Sequence, residues 1–258
     1  MSEILFERSN HLATVRLNRP ETGNRLTMRM FALIAEAFTE IEADPAVRCT
    51  LMAAAGDDFS VGVDVPDVLP AWSRGQSPIR DDQVNPWGVT GRPRGKPLVL
   101  VVQGRCHSGG LELALAADIV VASDDAQFAF EELRFGTYPF AGGVFRMIRA
   151  AGWGRAMRHV LTAEPFGAEA ALSMNVAAMI RPRAEANEAG VALARRIAAA
   201  APLAVEASLM QARNWARAAE AAALADAVPQ LVRLLNSADA REAMAAMTQA
   251  RAPVFAGQ

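Results

Sequence analysis

Polar and apolar residues alternate from Ala13 to Leu17, with Ala13, Val15 and Leu17 apolar and Thr14 and Arg16 polar. A period of two marks a strand with one face toward water. Asn18 to Asn24, which carries Pro20 and Gly23, supplies a turn. From Thr27 the period changes: Phe31, Ile34, Phe38 and Ile41 recur at three and four residues, predicting a helix with one apolar face that ends at Asp44-Pro45. Three short apolar runs follow, Cys49 to Ala53 with Thr50 its one polar residue, Leu98 to Val102 and Ile119 to Ala122, each leading into a glycine-bearing loop or a helical stretch. Mostly apolar strands separated by helices predict an α/β fold whose strands are covered on both faces.

Residues 65 to 95 are rich in Pro, Gly, Asp and Arg and keep no steady period, so a long connection is expected there. Beyond Gly167 the chain turns Ala-rich and helical, and Leu224, Val228, Leu231 and Leu235 share one helix face. Pro202 falls close to a helix start, and Pro229 reads as a kink. These shifts divide the chain into a strand-bearing core, residues 1–182, and a helical C-terminal region, residues 183–258. No repeat of solenoid length is visible.

At 258 residues and 52% hydrophobic, the chain can bury a sizeable core. A formal charge of -2 gives no electrostatic reason to expect nucleic acid or an anionic membrane as partner. Cys49 and Cys106 lie in apolar strand-like segments without metal-ligand spacing, which favours a reducing compartment and no metal. The first residues are charged rather than apolar, and no apolar run approaches bilayer length, so a soluble cytoplasmic protein is expected.

Candidate chemistry concentrates around Gly109-Gly110, between the run ending near Gln103-Gly104 and the helical Leu111 to Ala116. A strand, a glycine turn and a helix present bare amides at a helix N-terminus, where negative charge is favoured. The same amides serve a developing oxyanion. Alone, such a glycine pair is more often a tight turn.

Its surroundings narrow the choice. Val102 to Leu113, followed by Ala117-Asp118, is similar to the V-x-G-x-x-x-G-G-G-x-E-L...D block of the crotonase (enoyl-CoA hydratase/isomerase) superfamily, and Phe59 to Asp64 resembles its F-x-x-G-x-D block. Ala126-Gln127-Phe128, Glu132, Gly136 to Pro139 and Ala141-Gly142-Gly143 follow in the family's order. Asn18-Arg19-Pro20 and Arg251 to Phe255 also resemble family landmarks, so the match runs over nearly the whole chain.

This resemblance implies a crotonase (ClpP-like) fold, a spiral of ββα units with a helical C-terminal trimerisation region, acting on an acyl-CoA. It implies an oxyanion hole from the N–H groups of Val63 and Gly109, and catalytic carboxylates at Glu112 and Glu132, twenty residues apart. Arg25, Val61, Gly62, Asp64, Gly110 and Pro139 are the implied substrate-binding positions. Coenzyme A would be part of the substrate, with no separate cofactor and no metal, and the assembly a homotrimer or homohexamer. Hydration of a trans-2-enoyl-CoA to a 3-hydroxyacyl-CoA needs one group to take a proton from water and another to protonate Cα. Two carboxyls around one small apolar volume suit that division.

An isomerase or hydrolase on the same scaffold, or a binding protein without turnover, are the alternatives. Each candidate also has a plainer role available: Glu112 as a solvated helix face, Glu132 with Glu131 as a surface pair, Asp64 as a helix cap, His107 as packing, Asp118 as structure, and Trp72 and Trp87 as loop anchors. Three departures from the family pattern stand out: Ser108 replaces the first glycine of the triple, Asn175 stands where a glycine is common, and Ala250 stands where many members carry a lysine near CoA phosphate. Lys96 is the chain's single lysine, which leaves phosphate contacts to arginines such as Arg25.

Overall fold

The computed structural model describes residues 2–258, with side chains throughout except at 217–219, 222 and 223. Strands β1 (Ile4–Ser9) and β2 (Leu12–Leu17) form an antiparallel hairpin, and helix α1 (Met28–Ala43) returns the chain to β3 (Cys49–Ala54), parallel to β2. There follow α2 (Val65–Trp72), β4 (Leu98–Val102), β5 (Arg105–His107), α3 (Gly109–Ala116), β6 (Ile119–Ser123) and β7 (Gln127–Ala129). After these come α4 (Gly143–Ala151), α5 (Trp153–Thr162), β8 (Phe166–Gly167), α6 (Ala168–Ser173) and β9 (Met179–Arg181). The helices α7 (Arg183–Ala198), α8 (Pro202–Ala225), α9 (Ala227–Leu235) and α10 (Ala238–Thr248) close the order.

Two sheets result, one in the order β1-β2-β3-β4-β6-β9 and a smaller one in the order β5-β7-β8. From β4 to β5 and from β6 to β7 the chain steps from the large sheet to the small one, then returns through helix. That repeated step is the expected spiral. The runs read as buried strands are β3, β4 and β6, and β3 and β4 are buried along their whole length. The hairpin strand β1 was not foreseen; it is a mostly exposed edge whose short alternation is weak against the charged Glu7 and Arg8.

Helix α1 buries Phe31, Ile34, Phe38 and Ile41 as the spacing requires, and the Thr27 side chain accepts from the Met30 N–H at its start. The outer face of the large sheet is covered by α7, whose Ala186, Gly190, Ala194 and Ala198 follow a spacing of four and form one smooth stripe against Leu51, Val99 and Val101. A Cβ on Gly190 would lie 2.2 Å from Val101 Cγ2, so the stripe's small residues set how closely helix and sheet approach. The first helix past residue 182 is thus part of the sheet's packing, and the helices that leave the sheet begin at Pro202.

Residues 65 to 95, expected as connection only, contain α2, which Pro66 and Pro70 disguise in the sequence. Aromatic contacts fix this segment to α1, with ring centroids of Phe31 4.9 Å from Trp87 and 5.6 Å from Trp72. The break near Pro229 falls earlier, at Asp226, and Pro229 sits in the first turn of α9, where a missing N–H costs little. Asn175 adopts φ 57°, a left-handed geometry that asparagine tolerates. Asp118 is structural: it accepts from the Leu98 N–H at 2.7 Å and is bridged by Arg94 and Arg213. Among the described residues no helix is long and apolar enough to cross a membrane.

Candidate active site

Parallel pairing of β5 with β7 brings His107 beside Ala129, and the next residue, Ser108, donates its N–H to the Ala129 carbonyl at 2.8 Å. Helix α3 starts immediately after. Across from it, Leu26 donates to the Gly62 carbonyl and Asp64 donates to the Leu26 carbonyl, both at 2.9 Å, which fixes Val63 between them. Gly62 has φ 97° and a Cβ there would sit 3.1 Å from the Ser108 Cβ, so glycine is required for the two backbones to meet. Among the described residues neither the Val63 N–H nor the Gly109 N–H donates to a protein acceptor. Gly109 itself has no left-handed φ, and a Cβ on it would be 3.4 Å from Val63 Cγ1. The positive backbone angles at this turn fall on Gly62 and Ser108.

Glu112, one turn into α3, is 2% exposed, and Glu132, just after β7, is 9% exposed. Both plain surface readings are therefore excluded. The Glu112 Oε1 accepts the Gly143 N–H at 3.0 Å, at the head of α4. Gly143 has to be glycine for this approach, because a Cβ would lie 2.7 Å from the Pro139 Cβ and 3.0 Å from Glu112 Oε1. Burial pushes the Glu112 pKa well above the usual carboxylate range and the charge of Glu132 adds to it, while the Gly143 N–H and the Arg146 guanidinium oppose the rise. Burial also lifts Glu132, to about 8, while its own backbone and the Ser108 hydroxyl oppose the rise. Its Oε2 is buried without a partner. Two adjacent carboxyls with raised pKa values share protons at neutral pH, so the pair can hold and transfer one.

Both carboxyls open onto a cavity of about 520 Å³. Phe31, Trp72, Trp87 and Phe140 wall it on one side, and α9 and α10 close it with Val228, Leu231, Leu235, Met244 and Met247. Arg25, Val61, Val63 and Gly109 line it as expected. The other expected positions stand behind the wall: Gly62 and Gly110 allow close backbone packing, with Gly110 against Ser60, and Pro139 packs on Gly143. Asp64 is the N-cap of α2 but makes no side-chain cap bond. Val228, Leu231 and Leu235 serve the cavity, so they are not a free surface for assembly.

Several contributors were not legible in sequence. Gly143 was visible as a landmark, but its bond to Glu112 depends on a return of the chain across 31 residues. Arg146 is a buried cation beside the pair. Trp87 lines the cavity and donates from Nε1 to the Gly109 carbonyl at 2.8 Å. His107 lies 3.6 Å from Glu131 rather than in the cavity. Lys96 donates to the Ile41 carbonyl at 2.6 Å and to the Asp44 carbonyl, far from the carboxyl pair. Among the described residues no cluster of His, Cys, Asp and Glu could hold a metal ion.

The sequence profile described as Enoyl-CoA hydratase/isomerase matches residues 7–258. The chain belongs to the enoyl-CoA hydratase/isomerase family. An enoyl-CoA hydratase of Mycobacterium tuberculosis is 30% identical over 257 residues, covering 98% of this chain and 96% of that protein. The (E)-benzylidenesuccinyl-CoA hydratase of Thauera aromatica is 31% identical, covering 98% and 99%. Among solved structures, a carnitinyl-CoA hydratase from Mycobacterium avium superposes with a TM-score of 0.85 at 32% identity, covering 99% of each chain. A probable enoyl-CoA hydratase/isomerase from Mycobacterium abscessus gives 0.82 at 36%, covering 100% and 99%. The two-sheet spiral is accordingly the crotonase fold.

Proposed function

We propose that the protein is an enoyl-CoA hydratase that adds water reversibly across the double bond of a trans-2-enoyl-CoA. The observation that carries this reading is the pair of buried carboxyls, both present and both facing the cavity beside two unpaired amides. In this reading the Val63 and Gly109 N–H groups receive the thioester oxygen and stabilise the enolate as water adds at Cβ. Glu112, whose raised pKa the Gly143 N–H and the Arg146 guanidinium oppose, takes the water proton when ionised, and Glu132 gives its proton to Cα. The pair ends the forward step with its proton moved from Glu132 to Glu112, and exchange with solvent restores it.

The amides polarise the carbonyl, so the reaction needs no added cofactor beyond the coenzyme A carried by the substrate. Exposed Arg25 at the cavity is the cation we assign to the CoA phosphates, since Lys96 is engaged elsewhere. Residues 183–258 both close the cavity and assemble the chains into a homotrimer or homohexamer. Helix α8 supports assembly, for Leu203, Met210 and Trp215 on it are 61–78% exposed. Cys49 is free and buried, and burial pushes its thiol up to about 12, which suits a protonated, unreactive side chain in a reducing cytoplasm.

Crotonyl-CoA tests the reading. Its enone absorbance should fall on addition of enzyme, and Glu112→Gln and Glu132→Gln should each lower kcat by roughly 10²-fold or more. An unchanged absorbance across a panel of 2-enoyl-CoAs would leave a binding protein.

A further inference from the structure

Ser108 occupies a backbone position that disfavours it. Its φ of 49° and ψ of −120° lie outside the small left-handed basin that side-chain-bearing residues tolerate, and glycine would sit there without strain. Its Cβ is also packed closely enough that a Cβ on Gly62 would meet it at 3.1 Å. A strained residue that persists at a reacting centre calls for a function of its side chain.

The side chain is buried and lines the cavity between Gly109 and Glu132. Its Oγ accepts the Glu131 N–H at 3.3 Å. A hydroxyl that accepts in this way still has one proton to donate, and buried donors are almost always satisfied. The carboxyl of Glu132 lines the same cavity, and its Oε2 is buried without a protein partner. We propose that Ser108 is a positioning residue: held by the Glu131 N–H, its hydroxyl donates to the Glu132 carboxyl and fixes which oxygen is turned toward the acyl group. The Ser108 hydroxyl is also among the influences that pull the Glu132 pKa down against burial. A glycine at this position, as in the family triple, has no such lever. Catalytic consequences rest on the hydratase reading, but the contact itself does not.

The test therefore reads the carboxyl directly. Protein labelled with ¹³C at glutamate carboxyls is titrated by NMR, the Glu132 signal being assigned by its loss in Glu132→Gln. Because a hydrogen bond to the charged form lowers a carboxyl pKa, Ser108→Ala and Ser108→Gly should each raise the Glu132 midpoint by about one pH unit or more. The alkaline limb of the hydration rate should move up by the same amount, with kcat reduced and KM little changed. Ser108→Gly should at the same time melt higher than Ser108→Ala, since it relaxes the backbone while losing the same hydroxyl. Glu132 titrations that overlay wild type in both variants would overturn the proposal. If the midpoint moves while wild type hydrates no enoyl-CoA, the hydratase reading fails and the Ser108 contact stands.

Discussion

Replacing Glu132 by Gln should make the protein more stable by an amount that depends on pH. A carboxyl whose pKa is raised from 4.5 to about 8 keeps its proton in the fold while the unfolded chain sheds it. Stability is therefore lost as pH rises through this window, the reverse of a salt-bridged carboxylate. Between about pH 5 and about pH 7.5 the loss comes to roughly 3 kcal/mol, at 1.36 kcal/mol per pH unit. Gln cannot ionise, so the difference in unfolding free energy between Glu132→Gln and wild type should grow by roughly that amount across the interval. Taking a difference between two pH values cancels how well the amide fits, since the carboxyl is neutral at the lower one. Urea denaturation at fixed protein concentration measures it, the concentration being fixed because subunit association adds to apparent stability. A stability difference that is flat with pH would refute the reasoning, for Glu132 would then titrate normally despite its burial.

Other perturbations probe the surrounding parts. Gly143→Ala forces the head of α4 away from Pro139 and Glu112, so thermal unfolding should show a loss of about 1–3 kcal/mol and kcat should fall as the Glu112 contact breaks. Gly109→Val should fold, since Gly109 has no left-handed φ, yet lose about 10²-fold or more in kcat as its side chain crowds the amides; a folded variant with full turnover would remove this amide from the mechanism. Trp87→Phe keeps the ring and removes the donor to the Gly109 carbonyl, and kcat should drop with only a small change in melting temperature. Sedimentation should show a species several times the 27.5 kDa chain, and Trp215→Glu on α8 should shift it toward monomer.

The apolar runs were legible because a strand buried on both faces selects mostly apolar residues, and β3, β4 and β6 fell where those runs lie. Helix α1 was equally clear from the spacing of Phe31, Ile34, Phe38 and Ile41. The short strands β5, β7, β8 and β9 were not legible, since two or three residues carry no period, and their pairing is decided by the turns around them. Helix α2 was hidden by its two prolines. In the site, Glu112 and Glu132 could be read from motif and spacing, whereas the Gly143 N–H bond and the Arg146 charge that act on Glu112 are placed by long-range chain return. The apolar face of Val228, Leu231 and Leu235 shows the limit of amphipathic reasoning: periodicity identifies a covered face without saying whether the cover is a cavity wall or another subunit.

Mass spectrometry of the product formed from crotonyl-CoA in D₂O distinguishes hydration from the other reactions of this scaffold. Wild type should form a thioester that has gained the elements of one water, with deuterium carried at C2, and Glu112→Gln and Glu132→Gln should both lose it. An unchanged acyl mass with a shifted double bond, or free coenzyme A released from the thioester, would contradict hydration.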